Sequence, residues 1–331
     1  MLDTLTQPIF APTVSPAPTF SVVVPVFNEE PVIRAFHERL SAVMERLGDW
    51  EAVYVNDGSR DATLAILQAL RRGDPRFAIV NLSRNFGKEI ATTAGLDHAR
   101  GDAVIVIDAD LQDPPELIPE LVAAWREGYD IAYAQRRERE GESWLKRASA
   151  RGFYTLMQYV GRAPIPADTG DFRLMSRRVV DAVLQMREHH RFMKGLFAWV
   201  GYPAKAVLYD RAARQSGGSK WSYWRLWNLA IEGVTGFTLV PLKIATYLGL
   251  FVAACAALYA AEVIIKTLIF GNPVAGYPSL MTVVLFLGGV QLITLGVIGE
   301  YLGRIFNETK NRPLYWVERY IRSQPHAPGP Q

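Results

Sequence analysis

The chain of 331 residues carries 36 lysines and arginines against 33 aspartates and glutamates, a formal net charge of +3, with one cysteine. That length accommodates two domains, or one domain with an appendage, and the near balance of charge excludes the global positive field of a nucleic-acid binder. Cys255 stands alone in an apolar run, which excludes a disulfide framework and fits a reducing compartment.

In chain order, residues 1–19 hold four prolines and no basic segment, and read as a disordered lead, not a signal peptide. Phe20 to Val26 reads as a strand that runs out into Phe27-Asn28-Glu29-Glu30, and a helix follows to about Leu47. Ala52 to Asn56 is a second strand, ended by Asp57-Gly58-Ser59, and Asp61 is placed to cap a helix that closes near Gly73. Phe77 to Leu82 is a third strand, and residues 83–88 lead into a helix ending at Arg100-Gly101. The fourth strand, Ala103 to Ile107, delivers Asp108-Ala109-Asp110-Leu111-Gln112-Asp113-Pro114-Pro115-Glu116. A helix from Pro114 to Glu127 and a strand from Asp130 to Ala134 complete an alternation that predicts an α/β fold with a doubly wound, mostly parallel sheet.

After Gln135 the pattern changes. Leu145, Ser149, Phe153, Leu156 and Val160 share one helical face while Arg147 and Arg151 take the other, an amphipathic helix with a basic side. Trp221, Trp224, Trp227, Ile231 and Val234 form a second stripe, rich in the residue favoured at the membrane–water boundary. Leu242 to Ile265 and Leu280 to Leu302 are apolar runs, each long enough for a hydrocarbon core that needs ~20 residues. Lys220, Arg225 and Lys243 flank the first run, and Arg304, Lys310 and Arg312 follow the second, whereas the link between them carries one basic residue. Positive charge on that side predicts a hairpin in the plasma membrane, with the large domain and both termini in the cytoplasm. The competing reading is a buried helical hairpin of a soluble protein. The predicted division is a lead (1–19), a catalytic domain (20–220), an interfacial helix (221–238), two spans (239–303) and a tail (304–331).

Three loops are predicted to meet at the carboxyl edge of the sheet: residues 28–30, 57–59 and 108–113. Neither G-x-G-x-x-G nor G-x-x-x-x-G-K-[ST] occurs there, so the glycine-rich phosphate cradles are missing. Asp108 and Asp110, two apart in extended chain, point to one side and are the predicted ligands of a hard divalent ion, Mg²⁺ or Mn²⁺. Asp113 has two readings, a third ligand or the N-cap of a helix with proline at its first position. Asp57 is a donor-site acceptor or a plain Asp-Gly turn. His189-His190 cannot share a helix face and reads as surface.

These residues, with Val24-Pro25-Val26-Phe27-Asn28-Glu29-Glu30, Asn56-Asp57-Gly58-Ser59 and Asn85-Phe86-Gly87-Lys88, resemble the inverting family-two glycosyltransferases of GT-A fold. Gly170-Asp171-Phe172-Arg173-Leu174, Arg191-Phe192-Met193-Lys194-Gly195, residues 211–221 and Glu308-Thr309-Lys310-Asn311-Arg312-Pro313 extend the resemblance to about Arg322. Within that family the chain looks like the bacterial polyprenyl-phosphate group, such as the bactoprenol glucosyltransferases of O-antigen modification. Dolichyl-phosphate mannose synthases share the first half, and the Gln-x-x-Arg-Trp of processive synthases is absent.

The resemblance implies transfer of a sugar, glucose from UDP-glucose by default, to undecaprenyl phosphate. GDP-mannose, UDP-galactose and aminoarabinose donors would use similar loops. It places Pro25, Asn28, Glu29, Asp57, Lys88, Asp108, Ala109, Asp110 and Gln112 around the nucleotide sugar and Asp110, Asp171 and Arg173 at the reacting centre. Arg136 and Arg147, with Arg137 and Arg151 as neighbours, suit the acceptor phosphate because a guanidinium fork binds it at two points. Arg211, Arg214, Ser219 and Lys220 belong to a glycine-rich segment suited to closing over the donor. Two further readings stand beside this one: a membrane-tethered nucleotide-sugar scaffold without turnover, and transfer to a neutral hydroxyl with Asp171 as base. Gly288-Gly289 suits packing between spans, including those of a homo-oligomer.

Overall fold

A computed structural model describes residues 17–137, 169–189, 191–209, 240–270 and 276–324. The two amphipathic stripes, with Arg147, Arg151, Arg211, Arg214, Ser219 and Lys220, lie outside the described residues.

The strands are β1 (Phe20–Val26), β2 (Trp50–Asn56), β3 (Phe77–Leu82), β4 (Ala103–Val106), β5 (Ile131–Arg136), β6 (Thr169–Ser176), β7 (Ala204–Tyr209) and β8 (Val317–Ile321). They form one sheet in the order β7-β5-β6-β4-β1-β2-β3-β8. β4, β1, β2 and β3 run parallel, and every residue of these four strands is buried. That is the pattern of strands covered on both faces, and it explains why they read as unbroken apolar runs.

Alternate residues of β1 enter two cores. Phe20, Val22, Val24 and Val26 pack with Ile33, Phe36 and Leu40 of α1 (Ile33–Met44), Leu67 of α2 (Thr63–Gly73) and Leu121 of α4 (Ile118–Arg126). Val23 packs on the opposite face with Ala91 and Ala94 of α3 (Lys88–His98), Val179 and Val183 of α5 (Arg177–Gln185), and Leu196 of α6 (Met193–Trp199). Helix α3 lies so close to the sheet that a Cβ on Gly95 would sit 2.2 Å from Cγ1 of Val23. Asp61, predicted as the cap of α2, lies one residue outside that position: its Oδ1 accepts Thr63 N–H at 3.1 Å in a local turn, while the N-cap of α2 is Ala62, which has no side-chain cap bond.

Two strands depart from the parallel scheme. β6 runs antiparallel to both β4 and β5 and separates them, and it carries Asp171 and Arg173, for which the chain pattern predicted no strand. β8, in the stretch read as a tail, pairs antiparallel with the outer edge of β3. Its exit is pinned by a buried network: Ser323 Oγ donates to Glu51 Oε2 at 2.6 Å, and Arg100 Nη2 donates to both groups at 2.6 and 2.8 Å. Burial pushes the Glu51 carboxyl up, but donors from Arg100, Ser323 and Ser21 outweigh it and hold it below the usual range.

Helices α7 (Val240–Phe270) and α8 (Tyr277–Thr309) cover the predicted spans and extend past both ends of each. Leu250, Phe251, Leu258, Leu268, Leu292 and Leu295 are exposed along them. Among the described residues one stretch, Phe286–Thr309, is long and apolar enough to cross a membrane, and none of it is buried. Glu262 pairs with Lys266 and Glu300 with Arg304, one turn on, which offsets two carboxylates on otherwise apolar helices.

His189 is not the surface bystander expected of it. Its backbone N–H donates to the Glu308 carboxylate at 2.8 Å, Nδ1 lies 3.1 Å from the other carboxylate oxygen, and Nε2 lies 2.8 Å from the carbonyl of Arg312. Nearby, Asp97 accepts from Arg187 at 2.6 and 2.8 Å and from the Tyr315 hydroxyl at 2.7 Å. The link between α5 and α6 is thereby tied to the chain leaving α8.

Two expectations follow. Gly95→Ala overpacks the α3–β1 contact and costs about 1–3 kcal/mol, read as a lower melting temperature. Glu51 has the lower proton affinity when folded, so its contribution is complete above the unfolded value of about 4.3 and is lost as pH falls through the folded one. Urea unfolding of wild type and Glu51→Gln is therefore expected to converge as pH drops from 7 towards and below 4.

Candidate active site

The first two loops at the sheet edge interlock through backbone groups. Asn28, in a left-handed conformation (φ 55°), accepts Arg60 N–H on Oδ1 at 2.8 Å, and its own N–H donates to Ser59 Oγ at 3.0 Å. Glu29 N–H donates to Thr63 Oγ1 at 2.9 Å, and Pro25 is buried within β1. Asn28 and Glu29 thus shape the donor loop through their own backbone and side-chain bonds.

Asp57 does more than form a turn. It is 3% exposed, and its two oxygens accept Phe86 N–H at 2.7 Å and Gly87 N–H at 2.9 Å. Burial pushes its carboxyl up against the pull of those two donors. Gly58 beside it has φ +66° and lies against the backbone of Arg84 and Asn85, where a Cβ would approach within 2.5 Å. Both residues of the Asp-Gly pair serve one purpose: they hold the turn that launches α3 and so place its first residue, Lys88.

Lys88 joins two of the carboxylates expected at the reacting centre. Its ammonium lies 2.6 Å from Asp108 Oδ2 and 2.5 Å from Asp171 Oδ2. Burial opposes the charge on Lys88, but the two carboxylates outweigh it and raise its proton affinity. The carboxylates differ. Burial, with Asp171 and Asp113 nearby, pushes Asp108 up despite Lys88. Burial also acts on Asp171, yet Lys88 and Lys194 outweigh it and hold that carboxyl at about 2. One lysine cannot satisfy both equally, and Asp171 alone has further cations beside it.

The acidic stretch is tightly turned. Leu111 takes φ +60°, a left-handed conformation that costs a branched residue of order 1–3 kcal/mol, and Gln112 N–H donates to Asp110 Oδ1 at 3.0 Å. Asp113 is not a helix cap. The residue before the 3-10 turn Pro115–Leu117 is Pro114, with no side-chain cap bond, while Asp113 turns inward, 3% exposed, and accepts the Tyr209 hydroxyl at 2.5 Å. A buried carboxylate needs donors more than a short turn needs a cap. Burial and Asp113 push the Tyr209 phenol up to about 12, although Arg136 acts against them.

Arg173, expected at the reacting centre, is buried next to Asp171. It is 5% exposed, donates to the carbonyls of Gly170 at 2.9 Å and Asp171 at 3.3 Å, and stacks 4.0 Å over the Phe197 ring. Burial lowers it to about 10. Of the expected acceptor arginines, Arg136 ends β5 beside Tyr209 with a buried Nε that has no hydrogen-bond partner, and Arg137 is exposed. Ala109 is buried beneath the acidic stretch.

Among the described residues no three His, Cys, Asp or Glu side chains converge closely enough to hold an ion by themselves. The donor set nonetheless fits a hard divalent cation: it is carboxylate oxygen throughout, and Asp171 Oδ1 is buried with no partner. Mg²⁺ is commonly held by one or two carboxylates plus substrate phosphates, which matches Asp108 and Asp110. Lys194, Glu89 and Tyr209 escaped sequence reasoning. Only the Arg191–Gly195 motif pointed towards the first, and no local signal marked the others.

A mixed, mostly parallel sheet with an Asp-x-Asp stretch at its carboxyl edge defines a glycosyltransferase of GT-A architecture. The glycosyl transferase family 2 domain matches residues 21–184, and the GtrB C-terminal hairpin matches residues 240–305. An uncharacterized glycosyltransferase of Synechocystis sp. is 55% identical over 90% of this chain and 94% of its own length. The SfII prophage-derived bactoprenol glucosyl transferase of Shigella flexneri is 51% identical over 92% of this chain and 99% of its own. A prophage bactoprenol glucosyl transferase homolog of Escherichia coli K12 is 50% identical over 90% and 98%. The chain belongs to glycosyl transferase family 2.

Tyr209→Phe leaves the buried Asp113 carboxylate one donor short. It is expected to cost about 1–3 kcal/mol, read as a lower midpoint in chemical denaturation.

Proposed function

We propose that this chain transfers glucose from UDP-glucose to undecaprenyl phosphate, with inversion, at the cytoplasmic face of the plasma membrane. The observation that carries this reading is the contact of Asp171 with Lys88: Oδ2 lies 2.5 Å from the ammonium. That ion pair holds the carboxyl below its usual range, which disfavours it as the base for a neutral hydroxyl. A lipid phosphate needs no such help because it is already anionic. That argues against transfer to a protein or soluble glycan, and the ~50% identity to bactoprenol glucosyl transferases supports the lipid acceptor.

In the proposed reaction an acceptor phosphate oxygen attacks the anomeric carbon from the face opposite the diphosphate. The new bond is carbon to phosphate oxygen, and the bond to the β-phosphate breaks with its electron pair leaving on UDP. Asp108 and Asp110 would hold a divalent ion, Mg²⁺ or Mn²⁺, whose charge would offset that of the departing diphosphate. The loops at Pro25, Asn28, Glu29 and Asp57 shape the nucleotide side, with Ala109 and Gln112 beside the sugar. Arg136, whose buried Nε lacks a partner, takes the acceptor phosphate with Arg137, Arg147 and Arg151. Residues 211–220 close over the donor and exclude water, which would otherwise compete for the sugar.

Two apolar helices of 31 and 33 residues and the hairpin match support a membrane-inserted protein with both termini cytoplasmic, able to associate through the spans. Their role is to hold the sheet edge where a water-insoluble polyprenyl chain presents its phosphate.

Purified protein given labelled nucleotide sugars, Mg²⁺ or Mn²⁺ and undecaprenyl phosphate is expected to make labelled lipid, fastest with UDP-glucose. Asp110→Ala is expected to lose that transfer by 100-fold or more, on the order of what a lost transition-state contact costs, while membrane insertion and melting stay unchanged. Undiminished transfer by the variant would overturn the site, and a bound but unconsumed donor in wild type would favour a scaffold.

A further inference from the structure

Among the described residues around Asp108 and Asp171, Lys194 is the cation that makes no hydrogen bond or ion pair. Lys88 pairs with Asp108 and Asp171, Arg173 is spent on two backbone carbonyls, and Arg191 donates to the carbonyl of Met186. Among the described residues Lys194 makes no hydrogen bond or ion pair, although it is half-buried and its field acts on Asp171, Lys88, Arg173 and Glu89. Burial lowers its proton affinity, as expected of an ammonium sheltered from water and not yet compensated.

Its position is not accidental slack. Helix α6 is held at three points around it: Met193 N–H donates to Glu89 Oε2 at 3.1 Å, Thr93 Oγ1 lies 3.8 Å from Met193 Sδ, and Phe197 supports the Arg173 guanidinium. Each neighbouring carboxylate has a partner other than Lys194, Asp171 Oδ2 in the Lys88 ammonium and Glu89 Oε2 in the Met193 amide, and Asp171 Oδ1, though buried, makes no hydrogen bond to Lys194 either. A sheltered ammonium in a fixed frame that neither carboxylate engages is matched to an anion that arrives with substrate.

We propose that Lys194 contacts a phosphate oxygen of the reacting complex, a role separate from the Asp108–Asp110 pair and from the arginines of β5. The inference rests on the phosphate-transfer reading above. The shared chemistry is a phosphate group, and its source is either the diphosphate of the nucleotide sugar or the monophosphate of the lipid.

The test uses the full-length protein in detergent or nanodiscs, with Lys194→Gln and Lys194→Arg. UDP binding is measured by calorimetry with Mn²⁺ present, kcat and KM for undecaprenyl phosphate by initial rates, and stability by thermal melting. Lys194→Gln is expected to melt with wild type and to lose about 10- to 100-fold, the worth of one charged hydrogen bond, with Lys194→Arg recovering part of it. Weakened UDP binding assigns the contact to the donor; unchanged UDP binding with a raised lipid KM assigns it to the acceptor. Two outcomes overturn the proposal: both substrates within about threefold of wild type, or a loss that tracks a lower melting temperature and is not rescued by arginine. Wild-type protein that binds UDP in a Lys194-dependent way yet forms no lipid product would sink the reaction and leave this contact standing.

Discussion

The ammonium of Lys88 between Asp108 and Asp171 is the interaction on which the rest of the site depends. With both oxygens within 2.6 Å of one nitrogen, the two carboxylates are at most about 5 Å apart. At an effective dielectric of about 20 their repulsion is roughly 3 kcal/mol. Without an intervening cation, the end of β4 and the start of β6 would not tolerate this approach. The lysine comes from a third element, the first turn of α3, so one charge locks three segments in register.

Everything around that lysine serves to aim it. Asp57 grips the two amides that precede it, and the glycine next to Asp57 is required by the backbone it lies against. Arg173 secures the carbonyls of Gly170 and Asp171 near the start of β6, and Tyr209 from β7 secures Asp113 at the end of the acidic stretch. A site that must bring two anions together needs its cations fixed in advance, because a mobile charge would lose in reorganisation what it gains in attraction.

The same economy extends to the membrane side. The segment between α5 and α6, which leads into Lys194, is bound at His189 to Glu308 at the end of α8, and its Arg187 shares Asp97 of α3 with Tyr315 from the chain leaving α8. Strand β8 then returns along β3, and Ser323 closes on Glu51 at the base of the sheet. The long apolar hairpin is therefore not a loose anchor. Its carboxyl end is stitched into the domain at the sheet edge and at the flank of the reacting centre.

What the sequence by itself determined were the elements whose cause is local. β1, β2 and β3 were legible because strands covered on both faces are continuous apolar runs, and the Asp-x-Asp stretch because its carboxylates are neighbours in the chain. The apolar hairpin is local for the same reason. Other features only the tertiary structure decided: the antiparallel wedge of β6, the return of β8, the inward turn of Asp113 and the burial of Arg173. Asp113 meets Tyr209 across 96 residues and Glu51 meets Ser323 across 272. Whether a carboxylate caps a turn, holds an ion or faces a lysine is set by which distant donors packing brings to it. The desolvation that makes the choice matter exists only once the sheet has closed around it.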